Sequence, residues 1–292
     1  MPSSRILKSA VLLIVAQALA LAQSHPIDPT FLRRHLTDLK EQPADFTAPG
    51  CHYKPVFGAG DPDSRLLRGI TRFGHVTVDP GGRSASMNSR SEEMVYVVLK
   101  GSGEMLYGEK RHPIHLEDFM YVPPGIAHSF VNAGSMPVEI IAMGFRLNPD
   151  IKIEKLGELQ IANISEVKKE VVAGHPPSTL YQLLMGNTKS TRDRLAAAQV
   201  LTSLFIMEFA PGGTNFPHHH DSEEEIYLVL NGHGEMVAGS GVNGIEGRYP
   251  ARAGDAYFFR LNGTVGFYAG NREGEEKARI LAVRSLFPFK CP

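Results

Sequence analysis

The chain has 292 residues, 42% hydrophobic and 21% charged, the profile of a packed globular protein and not of a disordered or fibrous one. Its 30 Lys and Arg nearly cancel its 31 Asp and Glu, so no summed positive field is available to hold nucleic acid or an anionic membrane. Two cysteines and no tryptophan exclude a disulfide-scaffold miniprotein and a four-cysteine zinc module, while 29 Gly and 20 Pro favour many short strands joined by tight turns.

At the start of the chain, Arg5 and Lys8 precede an apolar run from Ala10 to Ala22 that only Gln17 interrupts, and the run closes on Ala20-Leu21-Ala22. This is the layout of a cleavable secretory signal over residues 1–22, and the run falls short of the roughly 20 residues that span a bilayer core. The expected product is secreted or periplasmic and has no membrane segment after cleavage. In an oxidising compartment Cys51 and Cys291 are candidates for a disulfide, with two unpaired thiols as the alternative. Residues 23–50 form an N-terminal helical or extended segment. In it Asp28-Pro29 reads as a helix N-cap with proline at the first helical position, followed by a stripe of Phe31, Leu32, Leu36 and Leu39.

From Cys51 onward the pattern changes to short β-branched and aromatic runs, such as Val95–Leu99, Phe119–Val122 and Val138–Ile141, separated by Gly and Pro clusters. The runs belong to an internal repeat. Pro80-Gly81-Gly82 returns as Pro211-Gly212-Gly213, Glu92-Glu93 as Glu223-Glu224, and Gly101 to Met105 as Gly232 to Met236, each at an offset of 131 residues (211 − 80, 223 − 92, 232 − 101). Farther on, Glu117-Asp118 matches Gly254-Asp255 at 137 (254 − 117), which leaves room for a hairpin six residues longer in the second copy. The chain therefore divides into a first β-domain at 51–146, a linker at 147–185 and a second β-domain at 186–292. Arg192 to Val200 predicts a short helix.

In the second copy His218 and His220 stand at i and i+2, and Glu225 follows. On an extended segment the two imidazoles point to the same side, and a carboxylate on the neighbouring stretch closes a third corner. Neutral imidazoles and a carboxylate suit Mn, Fe, Zn or Ni as the divalent ion, with coordination positions left open. The alternative is a solvated His218–His220 loop beside an acidic edge, with no ion. His219 points away from the ion if its neighbours face it. By strand alternation Tyr227 shares the face of Glu225 and lines a pocket or packs in the core. Arg260 either meets an anionic substrate at the mouth of the domain or is solvated.

The order Gly212, five residues, His218, one residue, His220, four residues, Glu225, six residues, Gly232 resembles the first motif of the cupin family. Pro123-Pro124-Gly125-Ile126-Ala127-His128-Ser129-Phe130-Val131-Asn132 resembles the second, with Glu117 where that motif opens on glycine. The resemblance covers roughly Cys51 to Phe289 and is to a bicupin. It implies an all-β fold of two tandem antiparallel double-stranded β-helix, jelly-roll-like barrels with a few short helices. It also implies a metal inside the barrel held by His218, His220 and Glu225. In the first copy the first-motif ligand positions hold Met87, Ser89 and Met94, so only His128 remains of four. That copy is expected to be metal-free, with His128 either a satisfied core histidine or a substrate contact. In the second copy the fourth ligand position falls at Val265, or at Gly266 with one insertion.

The function that the resemblance implies is a metal-dependent oxygenase, isomerase or lyase acting on a small organic molecule in the C-terminal barrel. The alternative is a non-catalytic bicupin that binds or stores a small molecule. Partners are limited to that ligand and, in a homodimer, a second copy; a monomer is equally compatible.

Overall fold

The computed structural model describes residues 28–149, 157–239, 246–272 and 274–286. The expected signal at 1–22 and Cys291 lie outside the described residues, whereas Cys51 is buried. No helix among the described residues is long and apolar enough to cross a membrane.

The chain is built of strands. They are β1 (Phe31–His35), β2 (Cys51–Gly58), β3 (Ile70–Val78), β4 (Glu92–Lys100), β5 (Ser102–Tyr107), β6 (Lys110–His115), β7 (Asp118–Val122), β8 (His128–Val131), β9 (Val138–Arg146) and β10 (Gln160–Asn163). They continue as β11 (Thr179–Asn187), β12 (Leu195–Ala198), β13 (Leu201–Phe209), β14 (Glu223–Asn231), β15 (His233–Gly239), β16 (Glu246–Arg252), β17 (Asp255–Phe259), β18 (Thr264–Ala269) and β19 (Arg279–Leu286).

Each copy is a two-sheet jelly roll. The first pairs the sheet β10-β7-β4-β9-β3-β2 with β6-β5-β8, and the second pairs β1-β17-β14-β19-β13-β11-β12 with β16-β15-β18. The run β7-β4-β9-β3-β2 corresponds strand for strand to β17-β14-β19-β13-β11, so the duplication read from the sequence is a duplication of topology. The sheets remain separate and do not close into barrels.

The two large sheets are buried on both faces, and their strands accordingly read as continuous apolar runs. In β4, Met94, Tyr96 and Val98 point into the first copy's own core, while Val95 and Val97 face the second copy. A shared cluster joins the copies, with Ile141, Met143 and Phe145 on one side and Ile206, Ile226 and Leu281 on the other. Burial of this kind stabilises by about 1.5–3 kcal/mol per large side chain, so the copies fold as one body.

Three expectations are corrected. The Asp28–Leu39 segment is no α-helix: β1 adds antiparallel to β17 of the second copy, with Phe31 opposite Phe259, and only a three-residue 3-10 turn follows at Leu36–Asp38. The open edge of β17 supplies backbone partners that outweigh local helix preference, and strand alternation sends Leu32 to the shared cluster and Phe31 to the second core. Arg192 to Val200 is likewise extended. Its Leu195–Ala198 stretch pairs parallel with β11, since nine residues are too few for a self-supporting helix. The second copy begins before 186, at Thr179, and β10, inside the expected linker, closes the β7 edge of the first copy.

The offset of 137 also holds in the backbone. Glu117 and Gly254 both adopt positive φ, at 67° and 88°, as do Gly125 at 80° and Asn262 at 59°. Asn tolerates the left-handed region, so the turn survives the replacement of Pro-Pro-Gly by Arg-Leu-Asn.

Candidate metal centre

His218 is fixed by an isolated antiparallel bridge to Val265, with reciprocal backbone hydrogen bonds of 2.9 and 2.8 Å. In the first copy the same bridge joins Met87 to His128. Val265 is therefore the structural counterpart of His128, and of the two sequence alternatives for the fourth motif position the ungapped one is correct. Val265 is buried, and a side chain on Gly266 would stand 2.8 Å from the backbone of Pro217.

His220 lies in the loop that enters β14, and Glu225 is the third residue of that strand. One ligand atom each from His218, His220 and Glu225 lie within 4.8 Å of one another. The Nδ1–H of His218 donates to the carbonyl of Phe216 at 2.8 Å, which leaves Nε2 with its lone pair toward the site. His220 Nε2 is 3.2 Å from Oε2 of Glu225, a carboxylate only 2% exposed. Both of these atoms are buried, and neither has a hydrogen-bond partner among the described residues. A buried carboxylate is costly unless a cation meets it, here a protonated His220 or a bound metal, and with both rings neutral the donor set fits a divalent ion. His219, by contrast, is exposed and pairs with Asp221 at 3.2 Å.

The electrostatics treat the two imidazoles differently, favouring the neutral ring at His218 and the charged one at His220 while no ion is bound. Burial lowers the His218 pKa below its ordinary 6.5, which keeps the ring neutral and able to ligate. Burial acts in the same direction on His220, but the contact with Glu225 and its charge outweigh it and raise that pKa above 6.5.

The three groups sit in a pocket of about 80 Å³ whose wall also includes His175, Tyr181, Arg192, Ser203, Tyr227 and Arg284. Tyr227 lines the pocket with its hydroxyl accepting from Asn215 Nδ2 at 3.0 Å, and burial raises its pKa well above 10. Arg284 stands directly across the sheet from Glu225 and lies 3.3 Å from Glu223 Oε2 and 3.9 Å from Glu225 Oε1. Its Nε and the hydroxyl of Tyr181 are buried without hydrogen-bond partners among the described residues.

The structure does not bring Arg260 or His128 here. Arg260 is outside the pocket wall and donates to the carbonyl of Pro29 at 3.3 Å, because β1 occupies the edge beside it. His128 is 3% exposed in the first copy. Its Nδ1 bonds the Ile126 carbonyl at 2.9 Å and its Nε2 accepts from the Tyr96 hydroxyl at 2.6 Å, so neither nitrogen is left for a substrate. Around it Met87, Met94 and Phe46 fill the space that the second copy leaves open. The motif pattern missed His175, Tyr181, Arg192, Ser203 and Arg284. Only Arg284 carried a sequence signal, as a charged residue inside the apolar run Ile280–Leu286.

A family model described as Cupin domain matches residues 74–144 and 205–284. Among curated proteins, the alginate biosynthesis protein AlgA of Pseudomonas aeruginosa is 29% identical over 140 residues. That match spans 47% of this chain and 28% of AlgA, so the chain covers well under half of that relative. Among solved structures, a Pseudomonas aeruginosa protein described as glyoxylate induced has a TM-score of 0.71 at 14% identity, over 92% of this chain and 96% of that one. The oxalate decarboxylase of Bacillus subtilis, in its E162A form, has 0.64 at 12% identity, over 92% and 80%. Another structure of that enzyme, at 0.63 and 12%, concerns its Mn(II) centres. At these identities the likeness is one of fold.

Proposed function

The chain belongs to the cupin family, and from that premise we propose that its second copy is a divalent-metal site that acts on a small organic molecule. The observation that carries this reading is the group of His218, His220 and the buried carboxylate of Glu225, within 4.8 Å of one another at the wall of a pocket. The first copy serves as a packed, metal-free partner.

A bound ion would supply Lewis-acid or redox chemistry at positions left open by three protein ligands. The chain's own residues supply the rest. His218, its Nδ1–H tied to Phe216, and His220 present ring nitrogens, and Glu225 supplies the compensating charge. The Tyr227 hydroxyl, held by Asn215, fixes one side of the pocket. Arg192 and Arg284 add two cations to the wall, which favours an acid as substrate. The small pocket favours a small acid. Export through residues 1–22 belongs to the same proposal, on the layout of charged start, apolar run and small-residue end.

The missing imidazole at Val265 favours a second reading, in which the site binds a molecule without converting it. Metal content by mass spectrometry on protein made without a histidine tag decides first. About one ion per chain is expected, and close to none in His218→Ala with Glu225→Ala. Equal metal in both proteins sinks the metal reading. Turnover of small oxo- and hydroxy-acids by the loaded protein then separates catalysis from binding.

A further inference from the structure

The loop that approaches each copy before its outer strand carries an aromatic ring, and the two copies differ in what that ring is. Cys51 pairs with Val78 and Thr179 with Phe209, so β2 and β11 are equivalent, and Tyr53 and Tyr181 occupy the same place, opposite Val76 and Met207. In the first copy Phe46 packs edge-on against Tyr53, with centroids 4.9 Å apart, and is buried in the core. In the second copy His175 packs on Tyr181 at 5.0 Å. The first copy thus has a phenyl plug and a second-motif histidine at His128. The second has an imidazole in the plug position and Val265 in place of that histidine.

His175 is also oriented as a ligand would be. Its backbone N–H closes a turn on the carbonyl of Val172 at 3.1 Å, with Gly174 at a φ of 84° giving the sharp bend. Its Nδ1 bonds the carbonyl of Asn215 at 3.1 Å, just as His218 bonds that of Phe216, the next residue. A backbone carbonyl on the far ring nitrogen is the usual means of fixing a metal-bound imidazole. Nε2 of His175 has no hydrogen bond among the described residues. The ring lines the same pocket, and its centroid is 5.6 Å from that of His218.

We propose that His175 is the fourth protein ligand of the metal centre, an imidazole delivered by the 171–178 loop in place of the one that the second motif lacks at Val265. The inference rests on the metal reading above. His175 stands outside the group of three that already lie within ligating reach of one another, so binding draws the loop inward by a small displacement of the His175 ring.

The test uses the full chain loaded with Mn(II) or, in parallel, Co(II), and compares wild type with His175→Phe and His175→Ala. Phe is the residue that fills this place in the first copy, so His175→Phe is expected to fold; thermal melts of the metal-free proteins check this for both variants. Pulsed EPR of the Mn(II) protein should count three coordinated imidazole nitrogens in wild type and two in His175→Phe. Affinity measured by competition with a chelator should fall about tenfold or more. Two nitrogens in metal-loaded wild type, or affinities within twofold of each other, overturn the assignment and leave the three-ligand site standing. A wild type that takes up no ion overturns both. The wild-type nitrogen count does not depend on how either variant folds.

Discussion

Glu93 and Glu224 hold the two copies together in opposite directions. Glu93 accepts the backbone N–H groups of Gln199, Val200 and Leu201 at 2.7, 3.0 and 2.8 Å, and the Tyr121 hydroxyl at 3.0 Å. Glu224, its counterpart 131 residues on (224 − 93), accepts those of Arg68, Gly69 and Ile70 at 2.8, 2.8 and 3.1 Å. Both carboxylates are buried, at 0% and 1% exposure. Each satisfies the turn that leads into an inner strand of the other copy, which explains why the duplicated Glu-Glu pair survives in the copy that has lost its ligands.

Removing either carboxylate strands two buried N–H groups and a third that is part-buried, each buried group costing about 1–3 kcal/mol when unmade. Glu93→Ala and Glu224→Ala should therefore each destabilise the whole chain by about 2 kcal/mol or more in urea unfolding, in a single transition. A loss below about 1 kcal/mol, or separate unfolding of the two halves, would contradict the reciprocal arrangement.

The first-copy histidine gives a pH dependence. Burial holds the His128 pKa below 6.5, so the unfolded chain takes up a proton that the folded chain refuses. The stability linked to this group is complete above about pH 6.5 and is lost as pH falls below it. His128→Val, which installs the second copy's residue, should reduce the acid-side slope, leaving the part due to His75 and His218, whose pKa burial also lowers. At neutral pH it should cost about 1–3 kcal/mol, because the Tyr96 hydroxyl loses its acceptor. Adding Tyr96→Phe should recover part of the loss. Urea midpoints of the three proteins on either side of about pH 6.5 provide the check, and an unchanged slope in His128→Val refutes the assignment.

Gly266 lets the segment that carries the candidate ligand His218 lie close to β18. A Cβ there would meet the Pro217 backbone at 2.8 Å, and Pro217 immediately precedes His218. Gly266→Ala should weaken Mn(II) binding about tenfold or more by displacing that imidazole, with near-native far-UV circular dichroism. Gly157→Ala, where a Cβ meets nothing within 4 Å, is the neutral control. Equal affinities in isothermal titration would show that the segment tolerates the shift.

On the proposed function, Arg284 distinguishes substrate binding from metal binding. Its guanidinium lies 3.3 Å from Glu223 and 3.9 Å from Glu225, so it repels a cation and attracts an anion. Arg284→Gln should leave Mn(II) affinity unchanged or raised while weakening a small carboxylate probe such as glyoxylate about tenfold. Parallel loss of both affinities would mean that Arg284 only supports the ligands.

What the sequence determined was local in the chain. His218, His220 and Glu225 lie within eight residues; the i, i+2 spacing puts the two imidazoles on one side of an extended segment, and the loop into β14 brings the carboxylate to them. The repeat needed only a constant offset, and the all-β fold followed from short apolar runs between turns. What tertiary structure decided was everything set by distant pairing. Phe31 to Leu39 and Arg192 to Val200 have weak local preferences, and the open edges of β17 and β11 drew both into strands. The choice of Val265 over Gly266 needed the bridge to His218. Arg284 reaches the site only because β19 pairs with β14, and His175 only because a linker loop folds back over the pocket, contacts whose sequence separation leaves no periodic trace.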